Sequence, residues 1–184
     1  MHNTSLKAYG SYQYAGKQMY ANMILSAYIF ISACTTISTK TDIIVTFKDN
    51  YHYGTLNESL IKNHNGYPWF NKQYKKYNPK IQKIDSNLLN QVTIKIFMGT
   101  WCHDSKREVP RFYKILNTLN YDQTNLQIVG LKKNKKGYFS DYAHLNIKNT
   151  PTFIFFKDNN EIGRIIEKPK GSLELQIQNI LEKI

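Results

Sequence analysis

A chain of 184 residues with 41% hydrophobic and 14% aromatic residues is long enough for one domain with a real core, cramped for two, and too apolar for disorder. Lys and Asn interrupt its apolar stretches too often for a multi-span membrane protein, and 2 Cys exclude a disulfide scaffold. Lys and Arg exceed Asp and Glu by 25 to 13, for a net charge of +12, but Lys, Asn, Ile and Tyr abound together as AT-rich coding produces, and no basic run is interleaved with stacking aromatics, so nucleic acid is not expected as a partner.

The chain carries no charged residue from Gln18 to Thr39, and Met23 to Ile31 is its most apolar run. An apolar core of roughly 7–15 residues behind a basic leader and before small residues has the form of a secretory signal. Lys7 and Lys17 supply the leader, and Ile31-Ser32-Ala33-Cys34 resembles the lipobox of bacterial lipoproteins. That resemblance implies cleavage before Cys34 and lipid attachment to it, with the protein exported to the cell envelope or periplasm and held to a membrane by the lipid. Each buried methylene of such an anchor contributes about 0.8 kcal/mol. An uncleaved anchor helix running to Thr39 and a simple secretory signal are the alternatives, and they too put the remainder outside the cytoplasm. The expected organisation is a signal over 1–33, a tether over 34–55 and a domain over 56–184.

Within the tether, Asp42 to Lys48 reads as a short strand. Leu56 to His64 and Tyr67 to Tyr77 carry apolar residues at three and four spacing, which predicts two helical segments, with Pro68 tolerated in a first turn. The aromatic stripe of Tyr67, Trp69, Phe70, Tyr74 and Tyr77 is read as packing rather than ligand stacking. Asn78-Pro79 ends this stretch, and Ile81 to Asn90 is expected to be a further helix. Val92 to Met98 is a β-branched and aromatic run that predicts a strand ending at Gly99. Ser105 to Leu119 follows as a helix bent at Pro110, and Leu126 to Leu131 as a buried strand. Lys132 to Gly137 is read as a loop and Tyr138 to Leu145 as a short helix. Thr152 to Phe156 and Glu161 to Glu167 form a hairpin through Asp158-Asn159-Asn160, and Ser172 to Lys183 closes the chain as an amphipathic helix. This order implies an α/β domain with a mixed sheet covered by helices.

Chemistry concentrates in Gly99-Thr100-Trp101-Cys102-His103-Asp104-Ser105, where a strand hands over to a helix, and in Thr150-Pro151-Thr152 before the hairpin. The combination resembles the thioredoxin family: a Trp-Cys-x-x-Cys site after the first central strand, a cis-proline loop before a β-hairpin, and a final helix. The resemblance spans Val92 to Ile184 and implies a thioredoxin fold, a central mixed β-sheet flanked by helices, here with an N-terminal helical extension. It also implies thiol–disulfide chemistry in which Cys102 attacks, Trp101 packs beside the site, and Thr150 and Pro151 face the sulfur and receive an extended substrate. Physically, a Cys at the start of a helix meets the positive end of the macrodipole and unpaired N–H groups, which suits a nucleophile. Lys106 and Arg107 add positive charge, which Asp104 opposes.

Two departures from the family pattern stand out. Ser105 occupies the place of the second cysteine, and Ile96 the strand position where many thioredoxins carry an acid. With Cys34 committed to the lipid, no thiol in the chain is left to resolve a mixed disulfide. The expected activity is therefore monothiol exchange by Cys102, with Ser105 hydrogen-bonding the thiolate, His103 as a proton donor or thiolate partner, and protein thiols or disulfides or a small-molecule thiol as partners. The alternatives are a redox-inactive module that binds extended peptides or envelope proteins, and a structural domain with a spare thiol. The five His show no metal-binding spacing, and Trp101 and the lipobox argue against an iron–sulfur cluster at the Cys-x-x-Ser site, so no metal or other cofactor is expected.

Overall fold

The computed structural model describes residues 45–48, 50–134 and 140–184. The signal, the lipobox with Cys34 and most of the tether lie outside the described residues. Among those described, no helix is long and apolar enough to cross a membrane.

Six strands form one mixed sheet: β1 (Thr46–Lys48), β2 (Tyr51–Leu56), β3 (Thr93–Met98), β4 (Leu126–Gly130), β5 (Thr152–Lys157) and β6 (Asn160–Ile166), ordered β1-β2-β4-β3-β5-β6. β3 and β4 are parallel and every other pairing is antiparallel. The helices are α1 (Glu58–Asn63), α2 (Pro68–Lys76), α3 (Ser86–Leu89), α4 (His103–Thr118) and α5 (Leu173–Leu181). The run β3–α4–β4, a 3-10 turn over Ser140–Leu145, the β5–β6 hairpin and α5 make a thioredoxin fold, with α1 and α2 as the expected helical extension.

Strand alternation sorts the core onto two faces. Ile94, Ile96, Phe153 and Phe155 turn to the face where Phe70 of α2, Val109 and Phe112 of α4, and Ile177 of α5 close over them. Phe112 stacks on Phe153 at 4.5 Å between ring centroids. Phe97, Val129, Ile154 and Phe156 turn the other way, against Leu145 and Tyr142. Fully burying a side chain of this size contributes about 1.5–3 kcal/mol, so the sheet is the main source of rigidity beneath the β3–α4 junction. The aromatic stripe is packing, as expected: Tyr67 and Phe70 are buried in this core, and Trp69, Tyr74 and Tyr77 lie against it. At the β5–β6 hairpin, Asp158 and Asn159 both take positive φ (50° and 65°), the conformation a tight two-residue turn needs and short polar side chains tolerate.

Three local expectations need correction. Residues 51–55, read as tether, and Leu56, read as the start of a helical segment, form β2, a strand buried at Tyr51, His52, Tyr53 and Leu56 and paired with β4. The sheet therefore begins before residue 56. A close approach makes this pairing possible: a Cβ on Gly130 would stand 2.9 Å from the His52 carbonyl oxygen, and the opposing Gly54 sits at φ 111°. Second, the helix expected over Ile81–Asn90 is a 3-10 turn (Ile81–Lys83) and the short α3, divided at an extended Ile84. The Asp85 carboxylate accepts the N–H groups of Asn87 (2.8 Å) and Leu88 (3.2 Å) and so starts a new helix instead of continuing one. Third, α4 begins at His103 rather than Ser105, because Cys102 is its N-cap residue.

Candidate functional site

β3 ends at Met98, and Gly99, Thr100 and Trp101 carry the chain to Cys102 at the cap of α4. The turn is closed by the Cys102 N–H donating to the Gly99 carbonyl at 2.9 Å, and α4 then starts with Lys106 N–H donating to the Cys102 carbonyl at 3.0 Å. Cys102 makes no side-chain cap bond, so its sulfur stands at the helix start without being used to close it. The thiol is free and half-buried.

Across from it lies the 150–151 loop. The Thr150 carbonyl accepts the Cys102 S–H at 3.1 Å, and the Thr150–Pro151 peptide bond is cis. The Pro151 carbonyl in turn accepts the Glu167 N–H at 2.7 Å, which ties the loop to the end of β6. Residues 48 apart in sequence thus meet at the sulfur because β3 and β5 are neighbours in the sheet.

Trp101 fixes the other side of the turn. Its indole N–H donates to the Leu131 carbonyl at 2.9 Å, and its ring lies over Gly99 so closely that a Cβ there would stand 2.5 Å from Cε2. Ser105 is 0% exposed, and its hydroxyl accepts the Gly99 N–H at 3.2 Å. That bond braces the loop backbone, whereas the bond made by the Cys102 sulfur goes to Thr150. His103 stands apart: its side chain is 89% exposed, with Nδ1 3.7 Å from the Asp104 carboxylate. The positive charge expected from Arg107 is already engaged, since Asp104 (2.7 Å) and the buried Glu108 both accept from its guanidinium. Among the described residues, no three His, Cys, Asp or Glu side chains gather as a metal site would need.

Behind the loop is a polar group that sequence spacing did not reveal. Thr100, 2% exposed, receives hydrogen bonds on Oγ1 from the His52 backbone N–H and the Tyr67 hydroxyl, both at 3.2 Å. The Tyr67 hydroxyl also lies 2.7 Å from His52 Nδ1. Burial, and then the neighbouring His64 imidazole, hold His52 below its ordinary value, which favours the neutral ring. The one signal in the sequence was a His between two Tyr in a stretch with no clear alternation.

No family model matches the chain. Among curated proteins, it is 24% identical over 108 residues to thioredoxin H9 of Arabidopsis thaliana, a match covering 59% of this chain and 71% of that protein. By that match the chain resembles a thioredoxin over a little more than half of its length. Solved thioredoxins also align with it, at low overall superposition. The Fasciola hepatica thioredoxin is 16% identical, covering 50% of this chain and 84% of that one, with a TM-score of 0.37. Mitochondrial thioredoxin 3 of Saccharomyces cerevisiae is 21% identical, covering 55% and 99%, with a TM-score of 0.36. Thioredoxin O2 of Arabidopsis thaliana in its oxidised state is 17% identical, covering 62% and 85%, with a TM-score of 0.35.

Proposed function

We propose that this thioredoxin-like chain is a thiol–disulfide oxidoreductase of the cell envelope, held to a membrane by a lipid on Cys34 and working through Cys102 alone. The observation that carries the reading is the half-buried Cys102 sulfur at the start of α4, 3.1 Å from the Thr150 carbonyl, with a serine in place of a second cysteine one turn along.

In the first step the Cys102 thiolate attacks one sulfur of a substrate disulfide. A Cys102–substrate disulfide forms, the substrate S–S bond breaks, and the other substrate sulfur leaves as a thiolate with the electron pair. In the second step a thiolate from a second molecule, a small thiol or a partner protein, attacks the substrate sulfur of that adduct. A new disulfide forms between the substrate and the second thiol, and Cys102 leaves as the thiolate. The cycle moves a disulfide between partners without net oxidation of the enzyme. Trp101 and Ser105 hold the turn that presents Cys102, Thr150 and Pro151 face the substrate, and the exposed His103, next to Cys102 in sequence, passes a proton from solvent to the leaving thiolate.

The test is to treat the reduced full chain with glutathione disulfide and follow its mass. The reading expects one glutathione adduct at Cys102, discharged by excess thiol, and none on Cys102→Ser. A native protein whose Cys102 reacts with alkylating agents yet forms no adduct overturns it and leaves the peptide-binding module as the reading.

A further inference from the structure

Four segments of backbone frame Cys102, and each carries a lysine. Lys106 lies one turn along α4, and its N–H donates to the Cys102 carbonyl at 3.0 Å. Lys133 comes shortly after Leu131, whose carbonyl accepts the Trp101 indole N–H at 2.9 Å. Lys148 comes shortly before Thr150, whose carbonyl accepts the Cys102 S–H at 3.1 Å. Lys168 follows Glu167, whose N–H donates to the Pro151 carbonyl at 2.7 Å. We propose that these lysines make the rim of the site a docking surface for an acidic protein segment, so that the disulfide partner of Cys102 carries Asp or Glu on both sides of its own cysteine. The proposal rests on the exchange chemistry proposed for Cys102 and names the class of substrate for it.

The charge around the sulfur is one-sided. Residues 102–107, 131–134, 148–151 and 166–168 hold six Lys and Arg against two acids, Asp104 and Glu167, whereas the chain as a whole stands at 25 to 13. Asp104 is paired with Arg107 at 2.7 Å, so Glu167 is the remaining acid of these segments. Among the described residues, none of the four lysines is in an ion pair. Lys133, Lys148 and Lys168 are exposed and Lys106 is half-buried. The loop after β4 is also held in place by its cations: Lys132 Nζ lies 4.9 Å from the centroid of the Tyr53 ring and Lys133 Nζ 5.7 Å from that of Tyr51, both rings being buried in β2. Charges of one sign gathered around a cleft raise the rate at which an oppositely charged partner arrives, by about 10- to 1,000-fold.

The placement of the lysines selects an extended segment over a compact anion. Lys133 belongs to the side of the turn that Trp101 fixes, and Lys148 and Lys168 belong to the side of the 150–151 loop. An extended chain rises about 3.3 Å per residue, so a segment with its cysteine at Cys102 carries its next few residues roughly 10 Å out in each direction, toward both lysine-bearing sides. A compact anion reaches one side and leaves the lysines of the other without a counter-charge.

The test uses the reduced full chain and synthetic peptides whose single cysteine is joined to 2-thiopyridine and flanked on both sides by Glu, by Gln or by Lys. The Cys102 thiolate bonds to the peptide sulfur, and the pyridine thiolate leaves with the electron pair and takes up a proton, so one coloured product reports every peptide. Each rate is taken less that of Cys102→Ser, which removes any reaction at Cys34. The Glu peptide should react about ten-fold faster than the Lys peptide near 0.1 M salt, where screening sets in over about 10 Å, and the difference should close near 1 M, where it sets in over about 3 Å. A peptide with Glu on one side only should fall between the Glu and Gln peptides, and a rate equal to that of the two-sided peptide overturns the extended partner. Lys106→Gln, Lys133→Gln, Lys148→Gln and Lys168→Gln combined should bring the Glu peptide down to the Gln rate. Lys75→Gln, Lys76→Gln, Lys157→Gln and Lys183→Gln combined make the same change in net charge away from the site, in the last turn of α2, at the end of β5 and beside Ile162 of β6, and should keep the ranking. Equal losses in the two sets overturn the docking surface. If the first set fails to fold, Lys148→Gln with Lys168→Gln decides: it must slow the Glu peptide more than Lys157→Gln with Lys183→Gln does. Equal rates with all peptides overturn the proposal and leave the exchange reading standing, whereas no release with any peptide overturns the exchange reading and this proposal with it.

Discussion

Gly99→Ala is the sharpest structural test of the turn that presents Cys102. A Cβ at residue 99 would lie 2.5, 2.8 and 2.9 Å from Cε2, Cζ2 and Nε1 of Trp101. Ordinary carbon contacts begin near roughly 3.5 Å, so the ring has to retreat by about 1 Å. The same ring is held by its N–H bond to the Leu131 carbonyl at 2.9 Å, and a displacement of that size stretches the bond out of range. Losing one net hydrogen bond costs about 1 kcal/mol and crowding a packed side chain about 1–3 kcal/mol, which together give a destabilisation of about 2–4 kcal/mol. Denaturant unfolding measures this directly, and the emission of Trp101 should shift as its N–H loses the carbonyl; Trp69, the other of the 2 Trp, gives a constant background. The double variant Gly99→Ala with Trp101→Ala should cost less than the sum of the singles, because removing the ring removes the clash. An unchanged stability and emission in Gly99→Ala, or additive costs in the double variant, would refute the packing account.

Three further outcomes follow from the same geometry. Glu174→Ala should lower stability by about 3 kcal/mol, because the buried carboxylate accepts the Tyr77 hydroxyl and the Lys80 N–H, both at 2.9 Å, and the alanine leaves them unpaired. Burial pushes the Glu174 carboxyl up, but hydrogen bonds from its own N–H, the Lys80 N–H, Tyr77 and Ser172 outweigh it and hold the carboxyl below its ordinary value. A depressed carboxyl stabilises the fold above the unfolded value near 4.5 and loses that contribution as the pH falls through the folded one, so acid unfolding curves should show a slope that Glu174→Ala removes. Ser105→Cys should oxidise to a disulfide with Cys102, seen as loss of both free thiols by mass, and two thiols that stay free under mild oxidant would show that residue 105 does not occupy the resolving position. Cys34→Ala should abolish labelling by a radioactive fatty acid in cells, and unchanged labelling would remove the lipid anchor from the account.

The fold was legible where one signal dominated. β3, β4 and β5 are apolar runs bounded by turn residues, and α4 and α5 repeat their apolar positions at helical spacing, so element type and order followed directly. β2 escaped because Tyr-His-Tyr-Gly-Thr-Leu, buried nearly throughout, has neither the alternation of a half-exposed strand nor the aliphatic content of a central one. The break at Ile84 escaped because Ile81, Ile84, Leu88 and Leu89 keep helical spacing while Asp85 captures the backbone locally. At the site, residue identity and order led to Cys102, Trp101 and the 150–151 loop. The partner of Ser105 was not legible, since it depends on where the Gly99 N–H points as the chain leaves β3. The group of His52, Tyr67 and Thr100 joins residues 15, 33 and 48 apart, and that separation leaves no mark in local sequence.

The central claim is that this chain uses one sulfur as a nucleophile toward disulfides. The most direct measurement is the rate at which Cys102 of the native full chain reacts with an aromatic disulfide that releases a coloured thiol, compared with the same chain unfolded at the same pH. The position of Cys102 at the start of α4 predicts that folding raises this rate by several-fold, and that the resulting adduct is discharged by an added thiol. A native rate equal to or below that of the unfolded chain would contradict the claim.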